Sequence, residues 1–166
     1  MHTICTMEEE TYTPVDLPER YVIGIERRTC NANGRSLEDI PACWKEFLAT
    51  KAVARIPGIL KPTVMYAAYA DYVSDWTGEY SYLLGCGVNA AAKAPKGLAR
   101  RLIPAQHYAV FHAKGPMPDA VVGVWAGIWA SDLPRTYLCD FEIYDARFTD
   151  KTSPQVDIYV GIKKED

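Results

Sequence analysis

Two acids stand among apolar and aromatic residues in Thr136-Tyr137-Leu138-Cys139-Asp140-Phe141-Glu142-Ile143-Tyr144, a segment that reads as a β-strand. Strand side chains alternate between faces, so Asp140, Glu142 and Tyr144 share one side while Phe141 and Ile143 share the other. The second pair has the character of core. The first set places negative charge among rings. A buried carboxylate with no partner costs roughly several kcal/mol, so a cationic or hydrogen-bonding group must meet it, from the protein or from a ligand. In the last strand Val156, Ile158, Val160 and Ile162 alternate with Asp157, Tyr159, Gly161 and Lys163. With the aliphatic set beneath helices, Asp157 and Tyr159 are expected on the non-helix face, together with Glu142 and Tyr144. The same pattern fits a half-exposed Glu142 paired with Lys or Arg across the sheet. Residue types alone leave both readings open.

The aromatic content bears on that choice. Eleven tyrosines and four tryptophans are present. Tyr66, Tyr69, Tyr72, Tyr80 and Tyr82 cluster in the first half, where Tyr80 and Tyr82 share a face by parity. Ring faces attract cations, each for ~0.5 to 2 kcal/mol depending on desolvation. A concave, aromatic-walled site with one or two carboxylates suits a bulky organic cation and suits a phosphate or carboxylate substrate badly. The candidate ligand-binding residues are Glu142, Tyr159, Asp157, Tyr80, Tyr82, Trp76 and Tyr66. Trp44, Trp125 and Trp129 sit at helical core spacing and are expected in the core.

Other chemistries find little support. The five cysteines (Cys5, Cys30, Cys43, Cys86, Cys139) form no C-x-x-C pair and zinc-type spacing is absent. His2, His107 and His112 make no ligand cluster, and no Ser-His-Asp or Cys-His arrangement or phosphate-cradling loop is readable. No metal and no cofactor is expected. A net charge of −3 offers no basic stripe to nucleic acid. No apolar run reaches the ~20 residues of a membrane span. The acidic N-terminal decapeptide lacks the basic and apolar regions of a signal peptide, so a cytoplasmic location is expected.

The elements that position these residues come in two rounds. Tyr21–Arg27 reads as a strand preceded by Leu17-Pro18, and an Asn31–Ser36 turn follows. A helix opens near Ser36 or Asp39, with Pro41 in its first turn and Ile40, Trp44, Phe47 and Leu48 at helical spacing. Strands from Thr63 to Tyr72 and from Tyr80 to Val88 flank a turn with Gly78. The order then repeats. Ile103-Pro104 leads into His107–Phe111, a helix runs from about Ala120 to Ser131, and the strand of Glu142 and a last strand from Val156 to Lys163 complete it. The fold class expected is α+β: a duplicated βαββ module, as two antiparallel half-sheets each with one helix packed on one face. Residues 1–166 are read as a single domain, with module 1 at about 15–92 and module 2 at about 98–164.

Several of these stretches together resemble the GyrI-like family of effector-binding domains, found attached to some AraC-type and MerR-type regulators and also alone. They are Tyr21–Ile25, Ile40-Pro41-Ala42-Cys43-Trp44, Asp71–Tyr80 with Leu84-Gly85-Cys86, Tyr108–Phe111 with Gly115-Pro116, and Asp140–Tyr144 with Asp157-Ile158-Tyr159. The resemblance implies duplicated βαββ modules with pseudo-twofold symmetry, an antiparallel sheet with helices on one face and a ligand cleft between the modules. It also implies an acid at Glu142 that meets a cation among aromatic walls, with Asp157 and Tyr159 at positions where some multidrug-binding relatives carry a second acid and a tyrosine. Many relatives have Glu where this chain has Gly87, which implies a wider pocket there. The short lead before Tyr21 leaves no room for a helix-turn-helix, so a stand-alone binding domain is expected, as a monomer or weak dimer, working with a separately encoded transcription regulator. The ligand implied is a lipophilic cation or drug-like molecule. Two alternatives stand beside it: a hydrolase of strained electrophiles using Glu142 as base or nucleophile, and a protein-interaction module resembling inhibitors of DNA gyrase.

Overall fold

Among the described residues, eight strands and two α-helices follow one another: β1 (Tyr12–Leu17), β2 (Arg20–Cys30), α1 (Arg35–Ala49), β3 (Met65–Ala70), β4 (Glu79–Val88), β5 (Ala99–Ile103), β6 (Gln106–Lys114), α2 (Asp119–Trp129), β7 (Cys139–Tyr144) and β8 (Gln155–Gly161). The structure, a computed structural model, describes residues 12–164. The acidic lead with His2 and Cys5 lies outside the described residues. No helix among the described residues is long and apolar enough to cross a membrane.

All eight strands form one antiparallel sheet in the order β1-β6-β8-β7-β3-β4-β2-β5. Exchanging β1–β4 for β5–β8 reverses that order and leaves it unchanged, which is the expected pseudo-twofold. Its axis runs through the β3/β7 seam, where Ala67 faces Glu142 and Ala68 faces Phe141. Two strands lie outside the expected pattern. The Leu17-Pro18 and Ile103-Pro104 lead-ins end the edge strands β1 and β5, and each edge strand pairs with the opposite module.

These edge strands explain what covers the face away from the helices. Only Pro18 and Glu19 separate β1 from β2, and only Pro104 and Ala105 separate β5 from β6. Such links reach roughly 10 Å. In a flat sheet β1 and β2 would stand about 29 Å apart, at ~4.8 Å per strand. The sheet must therefore roll until its ends meet. The rolled side encloses a core of Val22, Ala68, Leu83, Tyr108 and Phe141, all fully buried. Where β2 crosses β4, Gly24 pairs with Gly85. A Cβ on Gly24 would come 2.0 Å from the Leu84 carbonyl oxygen, so the close approach depends on glycine.

Both helices pack on the other face. Cys43 and Phe47 of α1, and Trp125 and Ile128 of α2, are buried there with Ile23, Ile25, Leu84, Val156 and Ile158. Asn33 and Gly34 take left-handed backbone (φ 57° and 71°) and turn the chain into α1 at Arg35. Pro41 thus falls in the second helical turn, not the first. Leu48, which shares the helical spacing of Ile40, Trp44 and Phe47, is 65 % exposed and borders a cavity between the two helices.

Candidate functional site

Glu142 lies on β7, at the seam between the modules, with Ala67 of β3 on one side and Ile158 of β8 on the other. Directly opposed residues in an antiparallel ladder point to the same face, so Glu142 faces the helices. Its side chain is 1 % exposed. Three neutral donors hold the carboxylate. Trp125 Nε1–H of α2 donates to Oε2 at 2.6 Å, the Tyr69 hydroxyl donates to Oε2 at 2.8 Å, and the Tyr144 hydroxyl donates to Oε1 at 2.7 Å. No lysine, arginine or histidine among the described residues forms an ion pair with it. Burial raises the carboxyl pKa above its ordinary value, and the donations from Trp125, Tyr144 and Tyr69 oppose that rise. Burial, reinforced by the neighbouring carboxylate, also pushes the Tyr69 and Tyr144 hydroxyls well above the usual phenol range. Both therefore stay protonated and remain donors.

Above this carboxylate is a cavity of about 840 Å³, at the upper end of small-ligand sites. Its walls come from both modules. Helix α1 supplies Leu37, Ile40, Pro41 and Trp44, helix α2 supplies Val121, Val122, Trp125 and Trp129, and the sheet supplies Met65, Tyr69, Tyr80 and Tyr144. The rings brace one another. Trp44 meets Tyr144 edge-on with centroids 4.8 Å apart, and Tyr69 lies 5.1 Å from Trp125. Trp76, from the β3–β4 connection, stacks on Trp129 at 5.1 Å and 8°, so one indole from each module joins in the cavity wall. All four tryptophans of the chain line this space.

A second polar group borders the same cavity. Arg135 is buried, with its side chain 3 % exposed, and pairs with the fully buried Asp140 at 2.6 Å. Asp140 also accepts from the Tyr72 hydroxyl at 2.6 Å and from the Gly161 backbone N–H at 2.8 Å. The guanidinium stacks over Tyr137, 4.2 Å from the ring centroid.

The seven sequence-predicted residues divide between the two faces of the sheet. Glu142, Tyr80 and Trp76 line the cavity. Tyr82 stands one layer behind: fully buried, it accepts from Trp44 Nε1–H at 2.9 Å and meets Tyr69 edge-on. Tyr66, Asp157 and Tyr159 are on the opposite face. The expected sharing of a face by Glu142, Asp157 and Tyr159 fails on register, because β8 sets Asp157 opposite Ile143 and Tyr159 opposite Phe141. Tyr159 stacks on Phe141 at 4.5 Å, and the Tyr66 hydroxyl accepts from Arg20. Asp157 is engaged by His112, Gln155 and Arg147. Gly87 belongs to that far side as well. A Cβ there would meet the Tyr66 ring at 3.3 Å, so its lack of a side chain does not widen the cavity.

Sequence reasoning missed Trp125, Tyr69, Tyr144 and Arg135. For Trp125 a signal exists, since a core tryptophan needs an acceptor for its N–H and Glu142 is an acid in want of donors. Tyr144 shares parity with Glu142 in the strand itself.

Residues 15–162 match the family model described as integron-associated effector binding protein, Cass2. The chain belongs to this family. The Cass2 assignment agrees with the GyrI-like resemblance and with the α+β fold. YobU of Bacillus subtilis (strain 168) is 32% identical over 145 residues, covering 85% of this chain and 91% of YobU. The transcriptional regulator BrlR of Pseudomonas aeruginosa is 32% identical over 155 residues, covering 89% of this chain and 54% of BrlR. The chain thus spans about half the length of BrlR. Among solved structures, the integron cassette protein VCH_CASS2 of Vibrio cholerae superposes with a TM-score of 0.70 at 22% identity, over 93% of this chain and 97% of that one. SAV2435 bound to tetraphenylphosphonium gives 0.72 at 16% identity, over 92% and 93%. As a member of an effector-binding family the chain is a small-molecule-binding protein.

Proposed function

We propose that the cavity binds a lipophilic organic cation and that Glu142 is its counter-charge. The observation that carries this reading is the state of Glu142: a buried carboxylate at the floor of an aromatic cavity, held by three neutral donors and by no cation among the described residues. A guest with one diffuse positive charge completes that arrangement. It restores to the carboxylate the stabilisation lost with water, and its own weak hydration makes its transfer from solvent cheap. The indoles and phenols on the walls add ring-face attraction. Three of the ring residues, Tyr69, Trp125 and Tyr144, act twice over, since their donor groups orient the carboxylate while their rings form the wall. SAV2435, which shares the fold, is a protein solved with such a cation, and this supports the same ligand class here.

Tetraphenylphosphonium and tetraphenylborate have the same shape and opposite charge, which makes them a direct test of charge recognition. Tryptophan fluorescence reports occupancy, because every tryptophan borders the cavity. The phosphonium is expected to bind at least about tenfold more tightly than the borate, a difference of ~1.4 kcal/mol. Equal quenching curves for the two ions would reject Glu142 as a counter-charge and leave a merely apolar pocket.

A further inference from the structure

The guanidinium of Arg135 is the least satisfied polar group bordering the cavity. Of its nitrogens only Nη2 makes a short bond, to Asp140 at 2.6 Å. The contacts to the Tyr72 and Tyr137 hydroxyls are long, at 3.4 and 3.5 Å. Nε is buried and has no partner among the described residues. Arginine carries five N–H donors, and a buried donor left without an acceptor costs about 1–3 kcal/mol. Native proteins rarely tolerate this without a reason.

Its position relative to Glu142 gives a reason. Arg135 Cζ stands 5.7 Å from the centre of the Trp125 ring, whose N–H is bonded to Glu142. Asp140, which holds Arg135, is two residues from Glu142 on the same face of β7, one strand repeat of roughly 6.7 Å. Two polar groups thus border the cavity, Glu142 accepting and, beyond Asp140, Arg135 donating. Charge limits what the second anchor takes. Arg135 and Asp140 cancel, so Glu142 is the one uncompensated charge of the three. A guest with a single positive charge balances the site, whereas an added carboxylate would overload it with negative charge.

We infer that Arg135 is a specificity-determining residue and that the guest is an aromatic monocation carrying a carbonyl-type oxygen on a short arm from its cationic centre, placed to accept from Arg135. This rests on the cation reading above and narrows it from any lipophilic cation to a bifunctional one.

Pentyltriphenylphosphonium and (4-oxopentyl)triphenylphosphonium share a cationic head and differ by one ketone. A cavity with no free donor prefers the alkyl chain, because burying an unpaired carbonyl is unfavourable. A free donor reverses the order. The wild-type chain is expected to bind the oxopentyl compound at least threefold more tightly, and the Nε–H resonance of Arg135 in NMR spectra is expected to move with the oxopentyl compound and stay with the pentyl one. In the double variant Arg135→Met with Asp140→Asn, which removes both charges together, the order should invert to favour the pentyl compound. The inference is overturned if the wild type favours the pentyl compound, if the Nε–H resonance responds to both ligands alike, or if a folded double variant keeps the oxopentyl preference. The NMR result stands on the wild-type chain even if the variant does not fold. Absence of binding by both compounds to the wild type would instead remove the underlying cation reading, and this inference with it.

Discussion

Glu142→Gln is expected to weaken tetraphenylphosphonium binding by thirtyfold to a thousandfold, while the ligand-free protein becomes no less stable. The affinity term follows from removing one partner of a desolvated charge pair, roughly 2–4 kcal/mol. The stability term follows from the direction of the pKa shift. Burial raises the Glu142 carboxyl above its ordinary value, so the folded chain holds that proton more tightly than the unfolded one. The associated stability is fully present below the unfolded pKa, near 4.5, and is lost as pH rises through the higher folded value. Above that folded value the ionised carboxylate is thus a net cost to the fold, which Gln removes. Gln also fits the donors: its carbonyl can accept from Trp125 and Tyr69, and its amide can donate to the Tyr144 oxygen, which accepts as well as donates. Isothermal titration and a urea melt of the same preparations give both numbers. Parallel loss of affinity and stability would mean that Glu142 is a structural acid.

Arg135→Met is expected to cost about 3–5 kcal/mol of folding stability, a large part of the 5–15 kcal/mol typical of a domain. Asp140 is fully buried, and without the guanidinium it keeps only Tyr72 and the Gly161 N–H. Those donors do not neutralise a carboxylate in that setting. The loss comes from the stranded charge and not from the missing side chain, so adding Asp140→Asn should recover most of it. Urea midpoints of the single and double variants separate the two explanations. A single variant within about 1 kcal/mol of wild type would show that water reaches Asp140 after all.

The two carboxylates differ in a way that strand parity alone cannot show. Parity correctly groups Asp140, Glu142 and Tyr144 on one side of β7, and the repeated βαββ order is readable from turn residues and apolar spacing. The face that each side adopts depends on pairing register with β8, and a shift of one residue sends every side chain to the other surface. Glu142 opposite Ile158, not beside Asp157, is such a case. The edge strands were hidden for a different reason. β1 contains Pro14 and Asp16, and β5 contains Arg100 and Arg101, residues that read as loop but that edge strands tolerate. Without them the rolled sheet is invisible, and the face away from the helices looks free to form a cleft when it is in fact a second core.

Trp125 shows the limit from the helix side. Its spacing marks it as core, and it is buried. Its contact with Glu142 arises only when α2 is seated over the seam, a relation that joins residues on separate elements and leaves no periodic trace in either.

The most direct measurement is the titration of the Glu142 carboxyl itself, followed by its carboxyl carbon resonance with and without tetraphenylphosphonium. The free protein should titrate above the ordinary glutamate value, as burial requires. Bound cation should pull the titration down to lower pH, with affinity for the phosphonium falling in step as the free carboxyl protonates. A carboxyl whose titration does not move when the cavity is filled would contradict the central claim that this buried acid is the counter-charge for a cationic guest.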